Sequence, residues 1–334
     1  MPDPPIFRPQ ARWAPAAAAR LAMLGVVAAA VWGVTVATPP IPSHSPSLLG
    51  KGLIADLAER AARAEAAARA AQEVVRREKI AELGAPTLTD PTGLIGQELT
   101  PLVTTLGSLE AKRLSTSPAW ARALTERLAA HGVGPGTVVA ASLSGSFPGL
   151  NIALASACGA LDARLLAVSS VTASTWGANE PGFTWPEMEA RLVRAGVIRR
   201  VSIAVTAGGA ADRAFDLADE DRALAERIRD AAAARLDVPT LRPGNYDEAV
   251  EVRVRAYRRA AAGSPIVLYA NVGGAEASMG HSSAILGVGT GFVSGAGLEG
   301  RAGGGVTARF ARERVPILML LNVRELAVRW GLGL

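Results

Sequence analysis

TVVAASLSGSFPGLNIALASACGAL, residues 137–161, decides the fold. Val138 to Leu143 is a short, mainly apolar run with Gly136 ahead of it, as expected of a strand covered on both faces. Ser144, Gly145 and Ser146 form a small-residue turn, and Pro148 stands near the first turn of an apolar helix, where its missing N–H costs nothing. The first N–H groups of that helix lack intrahelical partners and carry the positive end of its dipole, so the turn suits a carboxylate or phosphate. Capping is the competing role for Ser144 and Ser146, because Ser is a preferred N-cap residue.

The same alternation repeats downstream. Strands are predicted over Arg164 to Val171, Val201 to Thr206, Val238 to Leu241, Ser264 to Ala270 and Val315 to Leu321. Helices are predicted over Pro186 to Ala195, Asp219 to Ala234, Asp247 to Ala262 and Val323 to Trp330. Strands alternating with helices of this length imply right-handed crossovers and a parallel sheet. The fold class is therefore α/β, a mostly parallel, doubly wound, Rossmann-like sheet.

In such a sheet the loops after the strands open on one edge, where ligands bind. Those loops carry Ser144, Gly145 and Ser146; Ser174, Trp176, Asn179 and Trp185; Gly208, Gly209 and Asp212; and Asn271, Gly273 and Gly274. Small residues let a ligand approach the backbone, and Ser and Asn supply hydrogen bonds. Asn179 and Asp212 are equally suited to holding turns, and the tryptophans to filling core. Asp212 with Asp216 or Glu180 is a candidate carboxylate pair for hydrolysis. Serine hydrolysis through Ser144 or Ser146 lacks its usual marks, since SGSFPG is not GxSxG and neither His131 nor His281 stands at an obvious triad position.

Composition excludes several classes. Cys158 is the one cysteine, so an intrachain disulfide and a thiolate metal cluster are both ruled out. The three histidines, His44, His131 and His281, have no ligand spacing, and no metal or cofactor is expected. GVGTG, residues 287–291, does not directly join a clear strand to a helix and is a weak nucleotide signal. The net charge of +5 favours anionic partners without arguing for nucleic acid. Lys112 and Arg113, in TTLGSLEAKRLST, read as an exposed helix face, and Arg255, Arg258 and Arg259 share a face of the helix ending near Ala262.

Ahead of the α/β region the chain divides into a tail over 1–20, an uncharged run over 21–37, a Pro/Ser linker over 38–50 and an Ala-rich helix over 51–84, with the exported α/β domain over 85–334. Leu21 to Ala37 reads as a single-pass transmembrane helix with its N-terminus inside the cytoplasm; cleavage as a signal peptide after Ala37 is the rival. Glu59 with Arg63, Glu65 with Arg69 and Glu73 with Arg77 support a long helix at i,i+4 spacing. With mostly Ala at its apolar positions, this helix reads as a juxtamembrane stalk capable of self-association, or as a helix packed on the domain.

SLSGSFPGLNIA, SSVTASTWGANEPGFTWPEME, the AGGAAD loop, NVGGAEASMG and VPILMLLNVRELA together resemble the poly-gamma-glutamate system protein family, from about Leu99 onward, with the same N-terminal layout. The resemblance implies a membrane-anchored accessory protein of poly-γ-glutamate synthesis or export, facing out of the cytoplasmic membrane and binding the polymer or its synthase complex. It carries over no catalytic residue. The open alternatives are a hydrolase or transferase acting on the polymer, and a structural scaffold or homo-oligomer.

Overall fold

The computed structural model describes residues 51–85, 90–281, 287–293, 298 and 304–333. The tail, the uncharged run over 21–37 and the linker lie outside the described residues. Among the described residues no helix is long and apolar enough to cross a membrane.

The strands in chain order are β1 (Val103–Thr105), β2 (Val138–Leu143), β3 (Arg164–Ser170), β4 (Ala173–Ser174), β5 (Ser202–Thr206), β6 (Ile266–Val272), β7 (Gly291–Val293) and β8 (Ile317–Leu320). Six of them form one sheet in the order β5-β3-β2-β6-β8-β7, while β1 and β4 pair separately. All neighbours in the large sheet run parallel except the edge strand β7. From β2 the chain moves outward through β3 to β5, then returns to the other side of β2 to lay down β6. The strand order therefore reverses between β2 and β6.

The helices obey the handedness that this reversal dictates. Right-handed crossovers running one way across a sheet place their helices on one face, and crossovers running the other way use the opposite face. Helices α4 (Pro148–Ala160) and α5 (Trp185–Arg194), between β2, β3 and β5, pack on the face carrying Val139, Ala141, Leu143, Leu165 and Ala167. Helices α7 (Tyr246–Ala261) and α9 (Val306–Arg312), on the return path, cover the face carrying Val138, Ala140, Leu166, Val168 and Tyr269. Helix α6 (Asp219–Leu236) packs beside Val205 and Val171. On α5, the buried Glu189 accepts from the Val201 and Ser202 backbone N–H groups at 2.9 and 2.8 Å, tying the helix to the start of β5. Burial raises that carboxyl above its ordinary range, against the pull of these hydrogen bonds.

The Ala-rich helix is α1 (Lys51–Leu83), and of the two arrangements open from sequence it takes the second, packed on the domain and not standing off as a stalk. Ala61, Ala64, Ala68, Ala71 and Val75 are buried at alternating spacings of three and four, against α4 and α3 (Ala119–Ala130). Ala gives little area per residue, but a stripe of it lets helix backbones approach closely. Polar ties reinforce the packing: Arg60 donates to the Ala160 carbonyl at 2.9 Å, Arg122 pairs with Glu65 at 2.7 Å and Arg191 with Glu78 at 3.0 Å. The pairs Glu59 with Arg63 and Glu65 with Arg69 form as expected, whereas Glu73 turns to Arg76.

Of two short segments, the first corrects a predicted strand. Residues 238–241 form no strand and touch the sheet through a single parallel bridge, Thr240 to Val205. GVGTG leads into the antiparallel edge strand β7 and does not join a strand to a helix, so no dinucleotide loop is built there.

Candidate functional site

The reversal between β2 and β6 is where an open α/β sheet leaves a crevice at the carboxyl ends of its strands. Here the crevice is nearly closed by contact. Gly273, at φ +86°, follows β6, and a Cβ there would lie 2.0 Å from Ser144 Oγ. Ser144 Oγ accepts from the Ser146 backbone N–H at 3.2 Å, and the Ser144 carbonyl accepts from Asn151 Nδ2 at 2.9 Å. The two serines thus hold their own turn, while Pro148 occupies the start of α4 as anticipated.

One step further along the edge, Ser146 meets the loop after β3. Its Oγ accepts from the Ser174 backbone N–H at 3.1 Å. Its carbonyl accepts from Lys112 Nζ, which also lies 2.6 Å from Ser174 Oγ. The Lys112 ammonium sits over the Phe147 ring, 3.9 Å from its centroid. Lys112 belongs to α2 (Leu109–Ser115) and is only 2% exposed, which corrects its reading as a surface residue. Burial alone lowers its pKa to about 7, with no carboxylate offsetting the loss of water. Ser174 and Ser146 keep 5% and 8% exposure. Gly107 passes over them so closely that a Cβ would lie 3.0 Å from Ser174 Oγ and 3.1 Å from Lys112 Cε. This strand-like strap exists because β1 pairs with β4, setting Thr105 opposite Ser174.

No family model, curated protein or solved structure matches the chain.

The remaining sequence-predicted residues divide by what they touch. Asn179 is fully buried and clamps the strap: its Oδ1 accepts from the Gln97 backbone N–H at 3.1 Å and its Nδ2 donates to the Gln97 carbonyl at 2.7 Å. Asn271 spans its own turn, with Nδ2 donating to the Gly273 carbonyl at 2.7 Å. Gly274 is exposed beside this turn. Gly208 and Gly209 begin a run of left-handed backbone that continues through Ala211, Asp212 and Ala214. Gly145 packs against Ala173, and its carbonyl accepts from the Ala178 N–H at 2.7 Å.

Asp212 is not free for hydrolysis. Its carboxylate is fully buried and takes both Nε and Nη2 of Arg253, the latter at 2.7 Å. Burial opposes the guanidinium charge, but Asp212 outweighs it and the net shift of Arg253 is upward. Glu180, the second suggested partner, instead pairs with Lys79 of α1. Asp216 accepts from the Ala210 N–H at 2.9 Å, and burial, then the charge of Glu276, raises its carboxyl. Among the tryptophans, Trp185 fills core and donates from Nε1 to Ser169 Oγ at 3.1 Å. Arg258 pairs with Glu313 at the surface. Cys158 is a buried thiol pushed up to about 12 by its surroundings, a core residue as read from sequence.

Two residues that matter most escaped the sequence reading. Arg253 was legible, since it interrupts the stripe Ala249, Val250, Val254 and Tyr257 that α7 buries. Lys112 left no such signal, because a helix of seven residues has too few turns to define a face.

Proposed function

We propose that this chain is a membrane-anchored accessory protein of poly-γ-glutamate synthesis or export, engaging the polymer or its synthase complex through the carboxyl edge of the sheet. The observation that carries this reading is a coincidence of place. The segments that resemble the poly-gamma-glutamate system proteins are the loops of that edge: SLSGSFPGLNIA spans the exit of β2, SSVTASTWGANE the exit of β3, and NVGGAEASMG the exit of β6. A polymer with a free carboxylate on every unit also suits the positive net charge. Residues 21–37 would supply the anchor. The scaffold alternative draws little support, because self-association through α1 would compete with the α3 and α4 contacts that already cover its Ala stripe.

Calorimetric titration of the full chain in detergent micelles with γ-linked glutamate oligomers tests the reading. Binding that weakens steeply with salt is expected, because each neutralised carboxylate releases counterions. Salt-independent binding, or none, removes the polymer as ligand and leaves the synthase as the partner to pursue by co-purification.

A further inference from the structure

We infer that Ser174 and Lys112 form a nucleophile and general-base pair for acyl transfer, with Ser146 holding the nucleophile in place. The geometry is a direct contact, 2.6 Å from Lys112 Nζ to Ser174 Oγ, inside the range for proton transfer. What surrounds the amine makes the contact productive. A neutral lysine has two N–H bonds and one lone pair. The Ser146 carbonyl and the face of the Phe147 ring take the N–H groups, so the lone pair faces the Ser174 hydroxyl. After proton transfer the ammonium meets the same three neighbours with three N–H bonds, so nothing has to rearrange. The neutral faces of Ser146, Ser174 and Phe147 are what Lys112 meets from the elements packed on α2, while Glu110 of α2 turns away to Arg324. Burial of this kind populates the neutral amine near neutral pH.

Ser174 is fixed from three sides. Its N–H donates to Ser146 Oγ at 3.1 Å, its carbonyl accepts from the Gly177 N–H at 3.0 Å, and its strand pairs with Thr105. Gly107 and Gly177 supply the room: a Cβ at Gly177 would meet the Ser174 carbonyl at 3.0 Å, as one at Gly107 would meet the hydroxyl.

The reaction runs on an amide and water. Ser174 Oγ bonds to the carbonyl carbon and its proton passes to Lys112 Nζ. The tetrahedral adduct collapses, the C–N bond breaks, and Lys112 returns the proton to the leaving amine. Water then attacks the Ser174 ester, giving a proton to Lys112; the C–Oγ bond breaks and Ser174 recovers its proton, releasing a carboxylic acid. A second amine in place of water makes the same steps a transfer. The choice of a γ-glutamyl amide as substrate rests on the function proposed above; the nucleophile and base do not.

A fluorophosphonate probe applied to the full chain in micelles reads the pair without assuming a substrate. A covalent adduct mapped by mass spectrometry to Ser174 is expected, absent in Ser174→Ala and slowed roughly 100-fold or more in Lys112→Met. In the wild-type chain the labelling rate should rise with pH around a midpoint of about 7. Circular dichroism checks that each variant is folded, and the wild-type pH profile keeps the test valid should Lys112→Met not fold. No adduct, an adduct at Ser144 or Ser146 instead, or a labelling rate flat across that midpoint would overturn the pair. Incubation with γ-linked glutamate oligomers then separates the two claims. Labelling without cleavage keeps the pair and removes the γ-glutamyl substrate, while binding without labelling keeps the accessory function and removes the pair.

Discussion

Asp212→Asn is the substitution that most sharply separates a structural from a catalytic role. The carboxylate is fully buried and holds two nitrogens of the equally buried Arg253, whose Nη1 donates to Ser142 Oγ at 2.9 Å. An amide of the same shape leaves that guanidinium without a counter-charge and turns an N–H₂ donor toward one of its nitrogens. Breaking a buried pair in this way costs about 3–5 kcal/mol. For a domain of this size that lowers the melting temperature by roughly 10 °C. Urea denaturation of wild type, Asp212→Asn, Arg253→Met and the double variant Asp212→Leu with Arg253→Met measures it. The double variant should recover much of the loss, because it removes both charges and leaves apolar volume behind. A loss below about 1 kcal/mol for Asp212→Asn, the scale of a solvated pair, would refute the reasoning. So would a double variant that merely sums the two single losses.

Three other outcomes follow from particular contacts. Gly273→Ala places a Cβ on Ser144 Oγ in left-handed backbone, so equilibrium unfolding should show a loss of about 2 kcal/mol or more, and a neutral result would mean the crevice between β2 and β6 is wider than described. Ala68→Glu puts a carboxylate into the α1 interface and should cost about 3 kcal/mol, while Ala66→Glu on the exposed face should be nearly silent; two silent variants would return α1 to a stalk. Lys112 binds its proton less readily when folded, so the unfolded chain holds more protons between about pH 7 and the ordinary value of 10.5, and stability should rise with pH across that window. Lys112→Met should flatten that rise, measured as urea midpoints against pH, and an unchanged slope would show that the amine is solvated.

Much of the fold was legible because its signals are local. The limits of β2 and the extent of α4 follow from apolar runs bounded by Gly and Pro, and the parallel sheet follows from the alternation of strands and helices. The packing of α1 was harder to read: Ala is both the best helix former and the weakest marker of a buried face, so Ala61, Ala64 and Ala68 look alike in a free helix and in a packed one. Sequence brought the right loops to one edge but misjudged which side chains were spare. Asn179 and Asp212 are committed to partners distant in sequence, and such commitments have no local pattern, while Asn271 is spent on its own turn. Ser174 stood among the edge residues, but its neighbour Lys112 reaches it across 62 positions, through a strap whose pairing with β4 no periodicity announces.

The buried ion pair and the serine edge are parts of one construction. Arg253 donates to Ser142 Oγ, Ser142 lies 2.7 Å from Tyr269 Oη, Tyr269 reaches Ser278, Ser278 donates to Asn271 Oδ1, and Asn271 Nδ2 donates to the Gly273 carbonyl. Every hydroxyl in that chain can point its proton the same way, from the guanidinium toward the turn, which strengthens each bond in a low dielectric. The chain ends on the glycine that presses against Ser144, whose Oγ in turn accepts from the Ser146 N–H. Ser146 then anchors Ser174. The charge placed under the sheet by Asp212 and Arg253 therefore fixes the turn after β6, and through it the two serines on which the position of Ser174 depends. On this account Asp212, which sequence suggested for chemistry, acts at a distance by holding the edge in register, and the reacting groups are Ser174 and Lys112, which meet at 2.6 Å on that edge.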